Sequence, residues 1–267
     1  MRIPIQLFRR KPAPQVASQQ RGEDELGLGV PWTPQEGAPR VPRRSTDVLE
    51  RARGVKVSAA HQSIYKAAGL LLEYPSEELI ESLPLVRAAL EESCAREAGP
   101  VRELSAVIEH LESVPLEQAQ SEYVETFDMR RRCCLHLTYY AFGDTRRRGM
   151  ALLDIKQTYQ ACGAQLDESE LPDHLCVLLD FAACVDGPVG RTLLLDHRPG
   201  LELLRISLQD RGSVYAHVIA AVSATLPNLD GSDKDAVRRL IATGPPDEEV
   251  GMEAYVSSSH VATGVRS

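Results

Sequence analysis

From Ser58 onward, apolar residues recur at three-and-four spacing, the period of an amphipathic helix. Ile64, Ala67, Ala68, Leu71 and Leu72 make the first stripe, with Ser58 as N-cap and Pro75 as the stop. Ser76-Glu77-Glu78 opens a second helix, its acids placed where the positive end of the helix dipole favours them. Pro84 should break or kink it before it resumes to about Ala95. Gly99-Pro100 opens a third, with Val101, Leu104, Val107, Ile108 and Leu111 as its stripe. Pro115 suits the first position of a fourth that runs to about Phe127. Further helices are predicted over 130–142 and from Asp144, as cap, to Cys162, with Gly163 closing it. Another starts at Pro172, with Leu175, Leu178, Leu179 and Ala182 on one face, and others over 189–195, 199–211, 213–226 and 233–242. No stretch alternates with period two, and no Asn-Gly or Asp-Gly turn joins two β-rich runs. The pattern predicts an all-α chain: a single-domain helical bundle of about ten helices with short connections.

Residues 1–45 follow neither period. They hold seven of the 17 prolines and the single tryptophan, Trp32, and cannot bury enough apolar surface to offset their ordering entropy. The expected organisation is a disordered, basic, proline-rich extension over 1–57, a helical domain over 58–243 and an irregular tail over 244–267. A helix could begin between Thr46 and Val57. The 267 residues allow a core that needs no disulfide staples. Net charge is −8, but it is unevenly spread: the extension is net basic and the body net acidic. An acidic body argues against nucleic-acid binding and would attract a basic partner.

Candidate chemistry is sparse. The six cysteines (94, 133, 134, 162, 176 and 184) contain no C-x-x-C pair, which fits reduced thiols in a cytoplasmic protein. Arg9-Arg10 is followed by a polar, proline-broken run rather than the apolar stretch of an export signal. No run of about 18 apolar residues could span a membrane. The densest cluster is RRRCCLHLTYY, residues 130–140. Cys133, Cys134 and His136 could hold a metal or supply a thiol nucleophile, yet structural zinc wants four ligands and no second pair is near. On a helix 133 and 136 share a face while 134 and 136 do not. Buried structural thiols are the simpler reading. Arg130–Arg132 and Arg146–Arg148 are either solvated helix ends or contacts to an anion or partner. No glycine-rich phosphate loop, nucleophile elbow or paired catalytic carboxylates occur. In ESELPDHLCVLLDFAA (168–183), Pro172 sets the helix start, Asp173 lies near its positive end and His174 in its first turn. Asp173 and His174 are adjacent and should project apart, a poor arrangement for a dyad.

At these segments a resemblance emerges. YVETFDMRRRCCLHLTYYAFGDTRRRGMALL (123–153) followed by ELPDHLCVLLDFAA (170–183) resembles the nitrate reductase delta-subunit family, the NarJ-type molybdenum cofactor assembly chaperones. These sit within the wider redox-enzyme maturation chaperones. YKAAGLLLEYP (65–75), the segment 197–227 and GPPDEEVGMEAY (244–255) continue the likeness, in a form similar to actinobacterial members, over about 58–255. The resemblance implies a non-enzymatic, all-helical chaperone that binds the N-terminal segment of the apo alpha subunit of respiratory nitrate reductase. It implies no stably bound cofactor and no metal, but help in inserting molybdopterin guanine dinucleotide into the partner, with cofactor-delivery proteins as further partners. The residues carried over by the shared motifs as partner-binding are Tyr123, Phe127, Asp128, His136, Tyr139, Tyr140, Leu171, Pro172, Asp173 and His174, with Leu178 and Phe181 beneath them. Neither nucleic-acid binding nor membrane insertion is expected. The alternatives are a helical chaperone for another molybdoenzyme and a thiol- or metal-dependent enzyme using Cys133, Cys134 and His136. The extension at 1–57 departs from the family, whose members start close to the first helix.

Overall fold

The computed structural model describes residues 8–10, 45–94, 96–167 and 170–244. Among them are twelve α-helices: α1 (Ser45–Ala52), α2 (Ala59–Leu71), α3 (Glu77–Ser93), α4 (Ala98–Ser113), α5 (Leu116–Phe127) and α6 (Leu137–Phe142), then α7 (Arg146–Ala161), α8 (Leu175–Cys184), α9 (Gly187–Asp196), α10 (Arg198–Gln209), α11 (Tyr215–Ala224) and α12 (Gly231–Thr243). The fold is all-α, as the periodicity predicts. The exception is a two-stranded antiparallel sheet, β1 (Phe8–Arg10) with β2 (Ala164–Leu166). No helix of the described residues is long and apolar enough to cross a membrane.

Local chemistry accounts for most boundaries. Ser58 and Ser76 accept the backbone N–H of His61 and Leu79 at 3.1 and 3.2 Å, capping α2 and α3 as their sequences predict. Pro84, by contrast, neither breaks nor ends α3, which runs through it. Pro84 is exposed, while Leu83, Val86 and Leu90 are buried on the opposite side, so packing holds both halves in line despite one lost backbone bond. Asp144 does not cap α7, whose N-cap is Thr145; it pairs instead with Arg148 at 3.2 Å. The helix expected over 130–142 is also absent as such. A single 3₁₀ turn (Arg131–Cys133) leads into extended backbone at Cys134 and His136, and only α6 follows.

Helix α8 lies at the centre. It is apolar nearly all round, with Leu175 through Ala182 buried, including Asp180, so only its last turn, at Ala183 and Cys184, meets solvent. Lys66 of α2 reaches in to pair with Asp180 at 2.6 Å. Helix α2 packs along one side of α8 and α9 along another. The α8–α9 approach requires a glycine: a Cβ on Gly190 would sit 2.4 Å from Ala182 Cβ. Helices α4, α10 and α11 complete the core, with Tyr65 of α2 hydrogen-bonded to Thr225 at 2.9 Å beneath them.

The segment expected to be an extension is not uniform. Helix α1 belongs to the bundle, packing on α7 and α9 with Val48 and Ala52 buried. Arg51 grips the carboxylate of Asp196, one arm at 2.7 Å. Two well-placed apolar residues and one bidentate ion pair suffice to seat a helix too short to stand alone. Residues 53–57 and the three residues of β1 are described as well; residues 1–7 and 11–44 of the expected extension, and the tail beyond residue 244, lie outside the described residues.

Candidate functional site

Two segments 35 residues apart in sequence fold as one unit. The N–H of Leu175 donates to the carbonyl of Leu135 at 2.8 Å, and that of Leu137 donates to Asp173 at 3.1 Å, so His136 and His174 face each other as an antiparallel bridge. Their rings meet edge to face with centroids 5.0 Å apart. The Asp173 carboxylate, fully buried, then caps α6 from another part of the chain. It accepts the N–H of Thr138 at 3.2 Å and the Thr138 hydroxyl, while its other oxygen meets His136 Nδ1 at 3.2 Å. Arg148 stands 3.7 Å away and also donates to Thr138 Oγ1 at 3.3 Å. Burial alone would raise the Asp173 pKa, but the His136 and Thr138 hydrogen bonds and the His136 and Arg148 charges outweigh it, leaving the carboxyl below its ordinary range. Tyr159 props the turn from beneath, its hydroxyl donating to the Pro172 carbonyl at 2.8 Å.

This unit forms one wall of a groove of about 400 Å³, within the ~300–1,000 Å³ range of ligand sites. The other wall is the end of α2 and the face of α5: Leu72, Glu73, Tyr74, Ser76 and Tyr123, set against Glu170, His174, Cys176 and Val177. Tyr123 anchors it, donating to the Leu72 carbonyl at 3.0 Å and meeting Tyr74, Phe127 and Tyr215 at centroid distances of 5.5, 4.8 and 5.8 Å. Burial lowers the His174 pKa to about 4, helped by the charge of His136, so its imidazole is neutral at neutral pH. Burial pushes Glu73 the other way, to about 7. Lys66, seven residues earlier on α2, acts on Glu73 through space but is committed to Asp180. Glu73 thus sits in an apolar groove without a hydrogen-bonded cation among the described residues.

The ten expected site residues separate by exposure. Tyr140, Pro172 and Asp173 are buried and present no side-chain surface of their own. Tyr140 donates to the carbonyls of Arg132 and Cys134, and a Cβ on Gly200 would come within 2.9 Å of its ring. Tyr123 and Phe127 present only edges, 9% and 8% exposed. Leu171 and Asp128 are exposed, and His136, Tyr139 and His174 are half-buried. Tyr123 and His174 share the groove; Tyr139 instead stacks near Arg148, whose guanidinium lies 6.0 Å from the ring. Leu178 and Phe181 are core residues of α8. Asp173 and His174 do project apart, but the useful pairing is Asp173 with His136, invisible to chain adjacency.

The thiols offer little nucleophilicity. Cys133 is buried, and burial raises both its pKa and that of Cys134. Cys134 Sγ accepts the backbone N–H of His136 at 3.5 Å and does not engage the ring. Among the described residues no trio of His, Cys, Asp or Glu is arranged to hold a metal. Of the arginine triplets only Arg148 turns inward; the other five side chains are exposed. Glu73, Tyr74 and Glu170 were missed by motif reasoning. For Glu73 and Tyr74 the signal was a carboxylate and an aromatic placed directly after the apolar end of a helix; Glu170 carried none.

A family model described as nitrate reductase delta subunit matches residues 91–221. The nitrate reductase-like protein NarX of Mycobacterium tuberculosis (strain ATCC 25618 / H37Rv) is 38% identical over 164 residues, 61% of this chain. The chain spans only 24% of that relative's length. The probable nitrate reductase molybdenum cofactor assembly chaperone NarJ of Bacillus subtilis (strain 168) is 32% identical over 169 residues, 63% of this chain and 90% of its own. The nitrate reductase molybdenum cofactor assembly chaperone NarJ of Escherichia coli (strain K12) is 33% identical over 178 residues, 67% of this chain and 75% of its own.

Proposed function

Because the chain belongs to the nitrate reductase delta-subunit family, we propose that it is a system-specific assembly chaperone for a respiratory nitrate reductase. It binds the N-terminal segment of the apo catalytic subunit and keeps that subunit competent for molybdenum cofactor insertion. It acts in the cytoplasm, forms no lasting complex with the cofactor and carries out no chemistry of its own. The groove between the end of α2 and the 170–177 segment carries this reading. It combines aromatic and aliphatic walls with two carboxylates, Glu73 and Glu170, and suits an amphipathic segment bearing a positive charge. Tyr74, half exposed, and the edges of Tyr123 and His174 supply the apolar contact. Asp173, Tyr140 and Pro172 hold the wall in place from behind.

Calorimetric titration of the full chain with a synthetic N-terminal peptide of the cognate catalytic subunit tests this. Saturable binding that is weakened at least tenfold by Tyr74→Ala, with helical content retained, is the expected result. No heat change up to high micromolar peptide, in both low and moderate salt, defeats the proposal. Binding that is indifferent to Tyr74→Ala moves the partner to a different surface.

A further inference from the structure

The two arginine triplets are a sequence motif that the groove does not absorb, and none of their residues lines it. Residues 128–154 hold six arginines against three aspartates, a net of three positive charges inside a chain that is net −8. Arg148 turns inward, pairing with Asp144 at 3.2 Å and standing 3.7 Å from Asp173. Arg130, Arg131, Arg132, Arg146 and Arg147 are exposed, and none of the five has an ion pair among the described residues.

The buried side of α7 fixes where its other side points. Ala151, Ile155, Thr158 and Tyr159 face the core. Arg146, Met150 and Leu153 recur at i, i+4 and i+7 on the side away from it, with Arg147 three positions before Met150. Met150 and Leu153 are 62% and 46% exposed, and Met129, next to the first triplet, is 72% exposed. Exposed apolar residues scattered singly need no explanation, but these three stand among five unpaired cations. Helix α6 brings the two triplets together. The Tyr140 hydroxyl donates to the Arg132 carbonyl at 3.1 Å, and Arg148 Nε donates to Thr138 Oγ1 at 3.3 Å. Both anchors lie on one six-residue helix, a cylinder about 10 Å across. The charge of Arg148 also reaches Cys134, two residues beyond the first triplet.

We propose that Met129–Arg132 and the exposed side of α7 form a peripheral docking surface for an anionic lipid membrane. The arginines meet headgroup phosphates, while Met129, Met150 and Leu153 enter the boundary between headgroups and acyl chains. The apolar side chains favour lipid over a small anion, because they stand out from the surface where a phosphate site would need a hollow. The charge asymmetry orients the approach, drawing the arginine side to an anionic surface and holding the acidic remainder off it. Such a contact lies on the bilayer and needs no helix to cross it.

The test is co-sedimentation of the full chain with vesicles of phosphatidylglycerol and phosphatidylcholine in equal parts, beside vesicles of phosphatidylcholine alone. Association is expected with the mixed vesicles only, and should fall steeply in 1 M salt, where the screening length is about 3 Å. An arginine near an anionic surface is worth roughly fivefold in partitioning. Arg146→Glu/Arg147→Glu and Arg131→Glu/Arg132→Glu should therefore each weaken association at least about tenfold, with helical content retained. Met150→Ser/Leu153→Ser should weaken it at least about threefold by removing the inserted groups. Arg238→Glu/Arg239→Glu makes the same charge change at exposed positions of α12 and should leave association within about twofold of wild type. No association with the mixed vesicles, or equal association with phosphatidylcholine alone, overturns the proposal. A loss as large in the α12 variant, or a loss in only one of the triplet variants, overturns it as well. Equal affinity for soluble polyglutamate, lost in the same variants, also overturns it, because the face then serves an acidic protein segment. The patch and the groove share no residue, so this result stands apart from whether a catalytic-subunit peptide binds.

Discussion

Replacing Asp173 by alanine should cost about 3–5 kcal/mol of folding stability. The carboxylate has no solvent exposure, and three donors converge on it: His136 Nδ1, the Thr138 N–H and the Thr138 hydroxyl, with Arg148 at 3.7 Å. Losing an N-cap acceptor alone costs about 1 kcal/mol. Stranding the partners of a buried charge raises the total to about 3–5 kcal/mol, a large share of the ~5–15 kcal/mol that a domain possesses. Thr138→Val keeps the backbone N–H but removes the hydroxyl, which donates to Asp173 and accepts from Arg148, and should cost about 1–2 kcal/mol. Because both changes act on one hydrogen bond, the double variant should lose at least about 0.5 kcal/mol less than the sum. Urea unfolding followed by circular dichroism at pH 7 measures all three. The sign with pH is fixed as well. The folded carboxyl lies below its unfolded value of about 3.9, so the contribution is complete above that value and disappears as pH falls through the folded one. A loss below about 1 kcal/mol for Asp173→Ala, or strict additivity with Thr138→Val, would refute the cross-chain cap.

Three further outcomes follow from the same geometry. Glu73 has its folded pKa raised to about 7, so its protonated form stabilises the fold below about pH 4.3 and that stability is lost as pH rises through 7. Glu73→Gln should therefore stabilise the chain by about 1–3 kcal/mol at pH 8 and leave it unchanged near pH 4, read from urea midpoints. His174 has its folded pKa lowered to about 4 against about 6.5 unfolded, so the unfolded chain binds the extra proton and stability falls as pH drops from 6.5 to 4. His174→Gln should remove about 1–3 kcal/mol of that acid sensitivity; an unchanged acid slope would count against burial of the ring. Gly190→Ala should destabilise by about 2 kcal/mol or more, since the new Cβ meets Ala182 backbone at 2.5 Å and α8 and α9 cannot both keep their places. A melting temperature within a degree of wild type contradicts that.

Much of the fold was legible because its helices announce themselves by period and punctuation. The stripes from Ile64 to Leu72 and from Val101 to Leu111 fall on α2 and α4, and the stops at Pro75, Gly163 and Gly212 fall at the ends of α2, α7 and α10. The failure at 130–142 is equally instructive. Cys134 and His136 are extended because the 173–175 segment offers their backbone a partner, and a local period cannot report a contact so far away in sequence. The same holds for Asp173, which looked like the start of its own helix but satisfies the amide of another. Motif resemblance selected both segments without saying how they meet. It also mixed residues that form the wall, such as Tyr140 and Asp173, with those that face the groove, such as Tyr123 and His174. Strand β1 escaped because three residues carry no detectable alternation.

Helix α6 is only six residues long, too short to persist by itself in water. Its first turn is held by a carboxylate that leaves the ribosome 35 residues later. During synthesis, α6 therefore remains uncommitted until the segment leading into α8 has emerged, and the groove wall closes only when the central helix arrives behind it. A nascent chain stalled before residue 173 would display its first five long helices with no groove to use. The binding surface is in that sense a completion signal: it exists only on chains whose core helix is already in place.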